Sequence, residues 1–314
     1  MSLKTIRSLT EFGELSVTDK NSYYGPFFWL TLISFAVPVV VAAKAFHEVK
    51  LTSRPSVSPD ASGVDHKIWD YLLKSYVDDG LVDYDAMSRD YLFRTYLRQL
   101  SDAEPHKLTT ATDQLALLCN AYNAFVIDGV IRHKVSDSVM HFHRGDQGFF
   151  DVKEHLFAGK TFSLNEIEHD LIRKRFREPR IHVALVCAAR DCPAIRREAY
   201  TGRRLVSQLQ DQSLLFANAA KYVQYDADTD TLRLSPLLDW YGQDWDVVGG
   251  YLNWLVGLIE DESLRDEVRQ AASGTTNVAF MDYDWSLNGL ATSTNESVAG
   301  PQKASFGSGT VPNN

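Results

Sequence analysis

Cysteine is scarce in this sequence, with three among 314 residues, and this excludes a small disulfide-stapled scaffold. Glycine and proline, at 18 and 10 residues, are far below the levels of collagen-like chains. Basic residues are outnumbered 32 to 41, and the net charge of −9 argues against a nucleic-acid partner. The sequence has no phosphate-binding glycine loop, no Gly-x-Ser-x-Gly and no His-Glu-x-x-His. Its 45% of hydrophobic and 23% of charged residues are typical of a folded globular protein.

One uncharged apolar run, residues 27–43, stands near the N-terminus. It reaches the lower length limit of a membrane-spanning helix, and Tyr23 and Trp29 suit an interfacial aromatic belt. The alanines on either side of Lys44 also fit a signal-peptide cleavage site. The sequence therefore predicts a membrane anchor or a cleaved signal at 26–45, with a buried core helix as the remaining alternative. Both the anchor and the cleaved signal would favour a core domain outside the cytoplasm, either periplasmic or extracellular.

Composition divides the chain into five parts. Residues 46–63 are rich in Ser and Pro and form a predicted linker, and residues 290–314 are polar and expected to be disordered. Between them, residues 64–289 are long enough for one sizeable hydrophobic core. A tail at 1–25 and the apolar segment at 26–45 complete the predicted organisation.

Apolar spacing and capping patterns predict that most of the core domain is helical. The most apolar helix is expected at 112–133, with Thr112 as its N-cap. Ser163 and Glu166 form a capping box that opens a helix to about residue 176, and β-branched residues predict a buried strand at 180–188. Further helices are expected at 68–77, 90–100, 201–220, 246–259 and 261–272, a hairpin at 222–235 and a strand at 277–285. The predicted fold class is α+β, a helix-rich single domain around a small, mostly antiparallel sheet.

Cys187 and Cys192 are the first candidates for chemistry. Alternation along the predicted strand makes Cys187 a buried core thiol. Cys192 follows the strand and precedes Pro193, where a short helix is expected to begin. Free N–H groups at that helix start would favour the reactive thiolate of Cys192. A disulfide between the two cysteines and inert packing of Cys192 are open alternatives.

Three further positions carry polar side chains in apolar surroundings. Asn120 and Asn123 lie three residues apart on the most apolar helix, and a buried amide without partners costs about 1–3 kcal/mol. The two amides therefore either clamp neighbouring backbone or line a pocket. His182, in the predicted strand, is either a satisfied core histidine or a general base. Arg180 at the strand start suits bidentate binding of a carboxylate or phosphate.

A Glu-x-x-His spacing places Glu166 and His169 on one helix face, where both are competent metal ligands. His141 and His143 nearby extend the candidate set for zinc or iron. Surface charge and helix capping explain Glu166 better, and Glu168 and His169 then remain open for other roles.

Charge is segregated within the core domain. Residues 173–204 carry a net charge of +7, and residues 205–288 carry −10. The basic stretch contains both His182 and Cys192, so it would suit an anionic substrate or a membrane surface. A solvated face compensated by the acidic half is the plainer interpretation.

Four motifs follow one another within residues 64–289. They are Leu118-Cys-Asn-Ala-Tyr-Asn-Ala-Phe125, Leu164-Asn-Glu-Ile-Glu-His169, Arg180-Ile-His-Val-Ala-Leu-Val-Cys-Ala-Ala189 with Asp191-Cys-Pro193, and Tyr283-Asp-Trp-Ser-Leu-Asn288. Together they resemble the family called "domain of unknown function 547", which brings no settled activity. Bacterial members carry an export signal, so the resemblance implies an extracytoplasmic domain. The family pattern singles out Asn120, Asn123, Glu168, His169, Arg180, His182, Cys187, Cys192, Pro193, Asp284 and Asn288.

This polar set comes from separate segments, which is typical of a shared pocket. The first hypothesis is a thiol-dependent hydrolase or transferase acting on a small or anionic substrate, with a papain-like or transglutaminase-like fold as its analogue. Its expected roles are Cys192 as nucleophile, His182 or His169 as base, Glu168 or Asp284 as orienting carboxylate, Asn120 as oxyanion donor, and Asn123, Arg180 and Asn288 in binding.

The second hypothesis is a non-catalytic, membrane-tethered binding module. In it, Cys187 and Cys192 form a disulfide, and Arg180 and the histidines bind an anionic ligand. A metal-dependent enzyme is the third. The expected partners are a small-molecule or anionic substrate and a membrane through 26–45, with no nucleic acid, no cofactor and no assigned metal ligand.

Overall fold

A computed structural model describes residues 54–56 and 58–290 of the chain. These residues fall within one compact unit, 49–314. The predicted anchor or signal segment at 26–45 lies outside the described residues, and so does nearly all of the predicted C-terminal tail. Membrane attachment and export therefore stay predictions.

Helices dominate the secondary structure, as the apolar spacing predicts, and the helix-rich α+β class is confirmed. The described α-helices are α1 His66–Tyr76, α2 Tyr84–Arg89, α3 Tyr91–Ser101, α4 Ala111–His133, α5 Leu164–Glu166, α6 Lys174–Phe176, α7 Leu205–Ala217, α8 Leu237–Trp240, α9 Tyr251–Val256 and α10 Glu262–Ser273. Tighter 3₁₀ helices lie at Pro105–Lys107, Val139–His141, Pro179–Val183 and Gly242–Val248. A wider π-helix, Ile167–Arg173, joins α5 to α6.

The strands are short and form several small sheets rather than one. They are β1 Val77–Asp78, β2 Leu81–Val82, β3 His143–Arg144, β4 Gln147–Gly148, β5 His155–Phe157, β6 Lys160–Phe162, β7 Val223–Asp226, β8 Thr231–Leu234 and β9 Asn277–Phe280. Each of the pairs β1–β2, β3–β4 and β5–β6 is an antiparallel hairpin. The predicted hairpin at 222–235 is confirmed as β7–β8, and β9 adds to β8 in parallel. The strand expected at 277–285 ends at Phe280.

Helix α4 passes through the centre of the core. Its residues are buried almost continuously from Leu115 to Val130, because apolar side chains lie on every face. Its N-cap is Thr110, whose hydroxyl accepts the Asp113 N–H at 3.0 Å, so the expected cap at Thr112 was wrong. Among the described residues, α4 is also the one helix long and apolar enough to span a membrane. Since 83% of its most apolar window is buried within the protein, this is the pattern of a core helix.

The strand predicted at 180–188 was wrong. Pro179 opens a 3₁₀ helix there, and the Glu178 carboxylate caps it by accepting the Arg180 N–H at 3.2 Å. A short apolar run indicates burial but does not distinguish a buried strand from a buried helical turn. The helix expected at Pro193 is also absent, since residues 191–200 form only turns and bends.

The hydrophobic core has two clusters, one built around α1, α3 and α4 and the other around α8, α9 and α10. The 3₁₀ helix Pro179–Val183 lies at their boundary, because Ile181 packs into the first cluster and Val183 into the second. His182 therefore lies where the two clusters meet.

Candidate active site

A buried histidine lies between two carboxylates at this boundary. His182 Nε2 is 2.7 Å from Asp244 Oδ2, and His182 Nδ1 is 3.9 Å from Glu168 Oε1. The side chain of His182 is 2% exposed. Burial lowers the pKa of His182, although the Asp244 hydrogen bond acts in the opposite direction. The imidazole is therefore neutral at neutral pH, and we assign its proton to Nε2, which leaves Nδ1 free to accept.

Asp244 is held in place from a second side. Arg173 donates from Nε and Nη2 to the two Asp244 oxygens, at 2.7 and 2.9 Å. Burial alone would raise the pKa of Asp244, but hydrogen bonds from His182 and Arg173 hold it well below its usual range. Arg173 also donates to His169 Nδ1 at 2.9 Å. His169, a predicted base, is thus a half-buried partner of Arg173 and has no described bond to His182.

The π-helix Ile167–Arg173 presents Glu168, His169 and Arg173 to this network. A π-helix inserts extra residues into a turn, and such segments are frequent at functional sites. The Ser163–Glu166 capping box that starts the segment is present as predicted. It commits Glu166 to the helix start, where Lys153 also pairs with it, and so removes Glu166 from the candidate metal ligands.

Aromatic rings enclose the carboxylate–histidine pair. Tyr241 stacks on His182 with ring centroids 3.8 Å apart. The Arg173 guanidinium lies over the Tyr241 ring, 5.0 Å from its centroid. Tyr122, from α4, donates its hydroxyl to Glu168 Oε2 at 3.2 Å. Burial raises the pKa of both tyrosines, so both remain hydrogen-bond donors. The site is a buried, low-dielectric environment with fixed polar groups, which strengthens their electrostatic effect on a reacting atom.

Cys187 lies beside the Glu168–His182–Asp244 network and is half-buried. Its sulfur is 3.2 Å from the Tyr283 hydroxyl. Burial alone would raise the pKa of the Cys187 thiol, but donors from Cys192, Tyr283 and the Ala189 N–H outweigh it and lower the pKa. The Glu168 carboxylate is close enough to act on the same pKa, in the raising direction. Cys187 is thus the thiol that the structure supplies with thiolate-stabilising donors, and it is not the buried core thiol that the strand pattern predicts.

Cys192, the predicted nucleophile, is buried. Its sulfur accepts the Cys187 backbone N–H at 2.9 Å, and burial raises the pKa of Cys192 well above its ordinary value. The helix start that was expected to activate Cys192 is absent. Both thiols are free in the structure, and so is Cys119, whose pKa is raised by burial.

The loop that carries Cys187 is held by a side-chain amide. Asn123 Nδ2 donates to the Ala184 carbonyl at 3.0 Å, and Asn123 Oδ1 accepts the Val186 N–H at 3.0 Å. Within the described residues no strand pairs with residues 184–186, so the Asn123 amide bonds the backbone groups that a neighbouring strand would otherwise satisfy. The next residue after Cys187, Ala188, has a positive φ of 62°, a strained conformation for a non-glycine residue. Such strain is concentrated at functional sites.

Asn120 makes the same kind of clamp one turn earlier on α4. Its amide donates to the Tyr200 carbonyl at 2.8 Å and accepts the Tyr200 N–H at 2.9 Å, and its nitrogen also contacts His66 Nδ1 at 3.2 Å. Both N–H groups of the Asn120 amide thus face contacts within the protein. These contacts support the clamping alternative for both residues, and the oxyanion role of Asn120 stays a prediction.

Three predicted binding residues are also engaged in the fold. Arg180 is paired with Glu178 through two hydrogen bonds of 2.8 and 2.7 Å. Asp284 is exposed and accepts the Ser286 N–H. Asn288 is buried, accepts the Tyr84 hydroxyl at 2.5 Å and donates to the Gly80 carbonyl at 3.1 Å.

The segment 283–288 runs antiparallel to 188–191, and this pairing explains Tyr283. Asn288 N–H donates to the Ala188 carbonyl, and Arg190 N–H donates to the Ser286 carbonyl. Asp284 and Asn288 therefore help to position Tyr283 against Cys187. Trp240 and Trp285 pack on Tyr283, with centroids 5.0 and 4.7 Å from its ring, and form a half-buried aromatic surface beside the thiol.

Several residues of the site have no signal in the sequence that predicts their role. Local patterns do not indicate Asp244, Tyr241 or Arg173, because each lies in an amphipathic or aromatic stretch with no motif of its own. Tyr122 lies between Asn120 and Asn123 in the first family motif and was the one with a usable signal. In the part of the chain that the structure describes, no three His, Cys, Asp or Glu side chains are grouped as metal ligands, and His141 pairs with Asp137 instead.

Comparison with known families supports the resemblance. Residues 105–216 match the family described as "Protein of unknown function, DUF547". The match includes Glu168, His182 and Cys187, and ends before Asp244 and Tyr283. No curated protein and no solved structure matches the sequence.

Proposed function

We propose that this protein is a thiol-dependent acyl hydrolase or transferase whose nucleophile is Cys187. The observation that supports this most is the 3.2 Å contact between the Cys187 sulfur and the Tyr283 hydroxyl, next to the Glu168–His182–Asp244 network. A half-buried thiol with hydrogen-bond donors and a neighbouring acid/base group has the arrangement that covalent catalysis requires. Cys192 then accepts the backbone N–H of Cys187 and helps to hold the nucleophile's loop instead of being the nucleophile.

The proposed reaction has two steps. The Cys187 thiolate attacks the carbonyl carbon of an ester, amide or thioester, the carbon–leaving-group bond breaks, and the leaving group takes up a proton. Water or another acceptor then attacks the thioester, gives up a proton, and releases Cys187. The acyl group and one proton are thus passed on without any net oxidation or reduction.

Glu168 is the group proposed to carry the proton. Glu168 is buried and is near enough to Cys187 to act on the thiol pKa. Its Oε1 atom is 3.9 Å from His182 Nδ1. Asp244 holds His182 with Nδ1 as an acceptor, so His182 would stabilise Glu168 while Glu168 carries the proton. A papain-like or transglutaminase-like fold and a small or anionic substrate remain parts of the proposal, as does attachment of an extracytoplasmic domain through residues 26–45.

The test is acyl-enzyme formation on the full-length protein. We expect p-nitrophenyl acetate to release p-nitrophenolate and to leave an acetyl group on Cys187, located by peptide mass spectrometry. C187S should abolish both signals, whereas C192S should retain them, because a serine oxygen can also accept the Cys187 backbone N–H.

Two outcomes would contradict the proposal. One is acetylation of Cys192 or Cys119 in place of Cys187. The other is protection of both Cys187 and Cys192 until a reductant is added, which would support the disulfide-containing binding module. Metal analysis of the same preparation tests the metal-dependent alternative.

A further inference from the structure

A groove lies next to the Arg173–Asp244 pair and is not used by the proposed reaction. It consists of two adjoining depressions, of about 480 and 260 Å³. Both are lined by Arg177, Glu178, Pro179 and Val247, and we call them together the Arg177 groove. Their combined size is within the range of small-molecule binding sites.

One side of the Arg177 groove is apolar. Val247 and Val248 line the larger depression and are 48% and 45% exposed. Trp254 and Leu258 line the same depression. Apolar side chains that are exposed together in a concave site indicate a binding surface for an apolar group.

The other side of the groove has one cation that the fold does not neutralise. Arg173 pairs with Asp244 and Arg180 pairs with Glu178. Lys174, a further lining residue, pairs with Asp170 at 2.6 Å. Among the residues that the structure describes, no carboxylate lies within 4.0 Å of the Arg177 guanidinium, although Arg177 lines both depressions.

We propose that the Arg177 groove binds a single-chain amphiphile with a carboxylate head group, such as a fatty acid. The carboxylate would accept two hydrogen bonds from Arg177, and the chain would lie on Val247, Val248 and Trp254. A single negative charge fits best, because Arg177 is the one cation lining the groove that has no carboxylate partner among the described residues. This site does not depend on the chemistry at Cys187.

The test measures binding of dodecanoate, below its critical micelle concentration, to the full-length protein by calorimetry and by intrinsic tryptophan fluorescence. We expect saturable binding that weakens about tenfold or more in R177Q, since a charge-assisted hydrogen-bond pair is lost. R203Q is the matched control, because it removes the same charge from an exposed arginine that does not line the groove. V248S should weaken dodecanoate binding without affecting the weaker binding of acetate.

Other outcomes would overturn the site. Equal weakening in R177Q and R203Q would mean a general effect of charge. Equal affinity for dodecylammonium would mean non-specific apolar binding, and tighter binding of dodecyl phosphate would contradict the preference for a monoanion. Thermal unfolding of R177Q checks that the variant is folded. C187S should bind dodecanoate like the wild type, so that failure of the acyl-transfer proposal and failure of this one are separable.

Discussion

The Tyr283 hydroxyl lies 3.2 Å from the Cys187 sulfur, although 96 residues separate the two along the chain. Burial and the nearby thiols raise the pKa of Tyr283 well above its ordinary value, so the phenol stays protonated and donates. A donor to the sulfur stabilises the thiolate relative to the thiol. The contact therefore connects the C-terminal segment of the domain to the reactivity of Cys187.

Replacing this donor should shift the titration of Cys187. We expect Y283F to raise the pKa of Cys187 by about one unit or more, because a hydrogen bond to a charged group is lost. The rate of iodoacetamide labelling of Cys187, measured against pH, reports this pKa. Wild-type labelling should reach half its maximum below the pH of an ordinary thiol, and the Y283F curve should move to higher pH. Y225F is the control, since Tyr225 is bonded to Asp230 at an exposed site, and an unchanged Y283F curve would contradict the role of Tyr283.

Asp244 should be required for turnover. In D244N, an amide replaces the carboxylate that accepts the His182 proton, so the imidazole loses its orientation and its preferred tautomer. We expect the rate of Cys187 acetylation and release to fall about 10²–10⁴-fold. D170N, which alters an exposed pair with Lys174, should remain within threefold of the wild type, about the size expected of a surface change. A D244N variant with wild-type turnover would exclude His182 from the mechanism.

Asn123 should stabilise both the fold and the Cys187 loop. N123A removes two hydrogen bonds and leaves the buried Ala184 carbonyl and Val186 N–H without partners. We expect a loss of about 2–5 kcal/mol in the free energy of unfolding, measured by urea denaturation, and slower labelling of Cys187. N165A removes one bond to Asp151 at a partly exposed site and should cost less than about 1 kcal/mol. Equal losses in the two variants would contradict the clamp.

His155 should make the protein less stable in mild acid. It is buried against Phe125, and its Nδ1 has no hydrogen-bond partner among the residues that the structure describes. Burial lowers its pKa from 6.5 to about 4. As the pH falls below about 6.5, the unfolded chain takes up a proton that the folded protein does not, so stability is lost. The wild-type free energy of unfolding should therefore fall by about 2 kcal/mol from this residue between about pH 7 and pH 5.

The H155F variant tests this assignment. Its ring keeps the contact with Phe125 and has no titrating group, so the fall in stability between about pH 7 and pH 5 should be smaller than in the wild type. Some pH dependence should remain, because burial also lowers the pKa values of His66 and His182. H106Q, at an exposed site, should leave the wild-type dependence unchanged. A full wild-type dependence in H155F would refute the role of His155.

Local sequence signals predicted the helices well. The central helix was expected within one residue of its observed bounds, and the Ser163–Glu166 capping box is present. These signals work because they involve groups only three or four residues apart. The same reasoning failed at 180–188, where an apolar run revealed burial but not the conformation.

Residue types alone indicate that Cys187 and Cys192 belong to a site, but not which of the two thiols is activated. Their presence between Arg180 and Pro193 indicated a candidate thiol site, and the family pattern included both. Which thiol is activated depends on Tyr283, which lies far along the chain, and on the turn at Ala188, which no residue pattern in the segment predicts. The expected helix start beside Cys192 would have reversed the assignment.

Residue patterns alone are enough to predict the helix-rich α+β class and to name polar residues from which a site could be built. The tertiary structure alone decided that Asn120 and Asn123 clamp backbone, that Cys187 has the thiolate-stabilising donors, and that His182 is held by Asp244. The physical reason is distance along the chain. Helix caps and apolar stripes are set by neighbours within a turn, whereas these contacts join residues about 60–100 positions apart, which only the packing of the two hydrophobic clusters brings together.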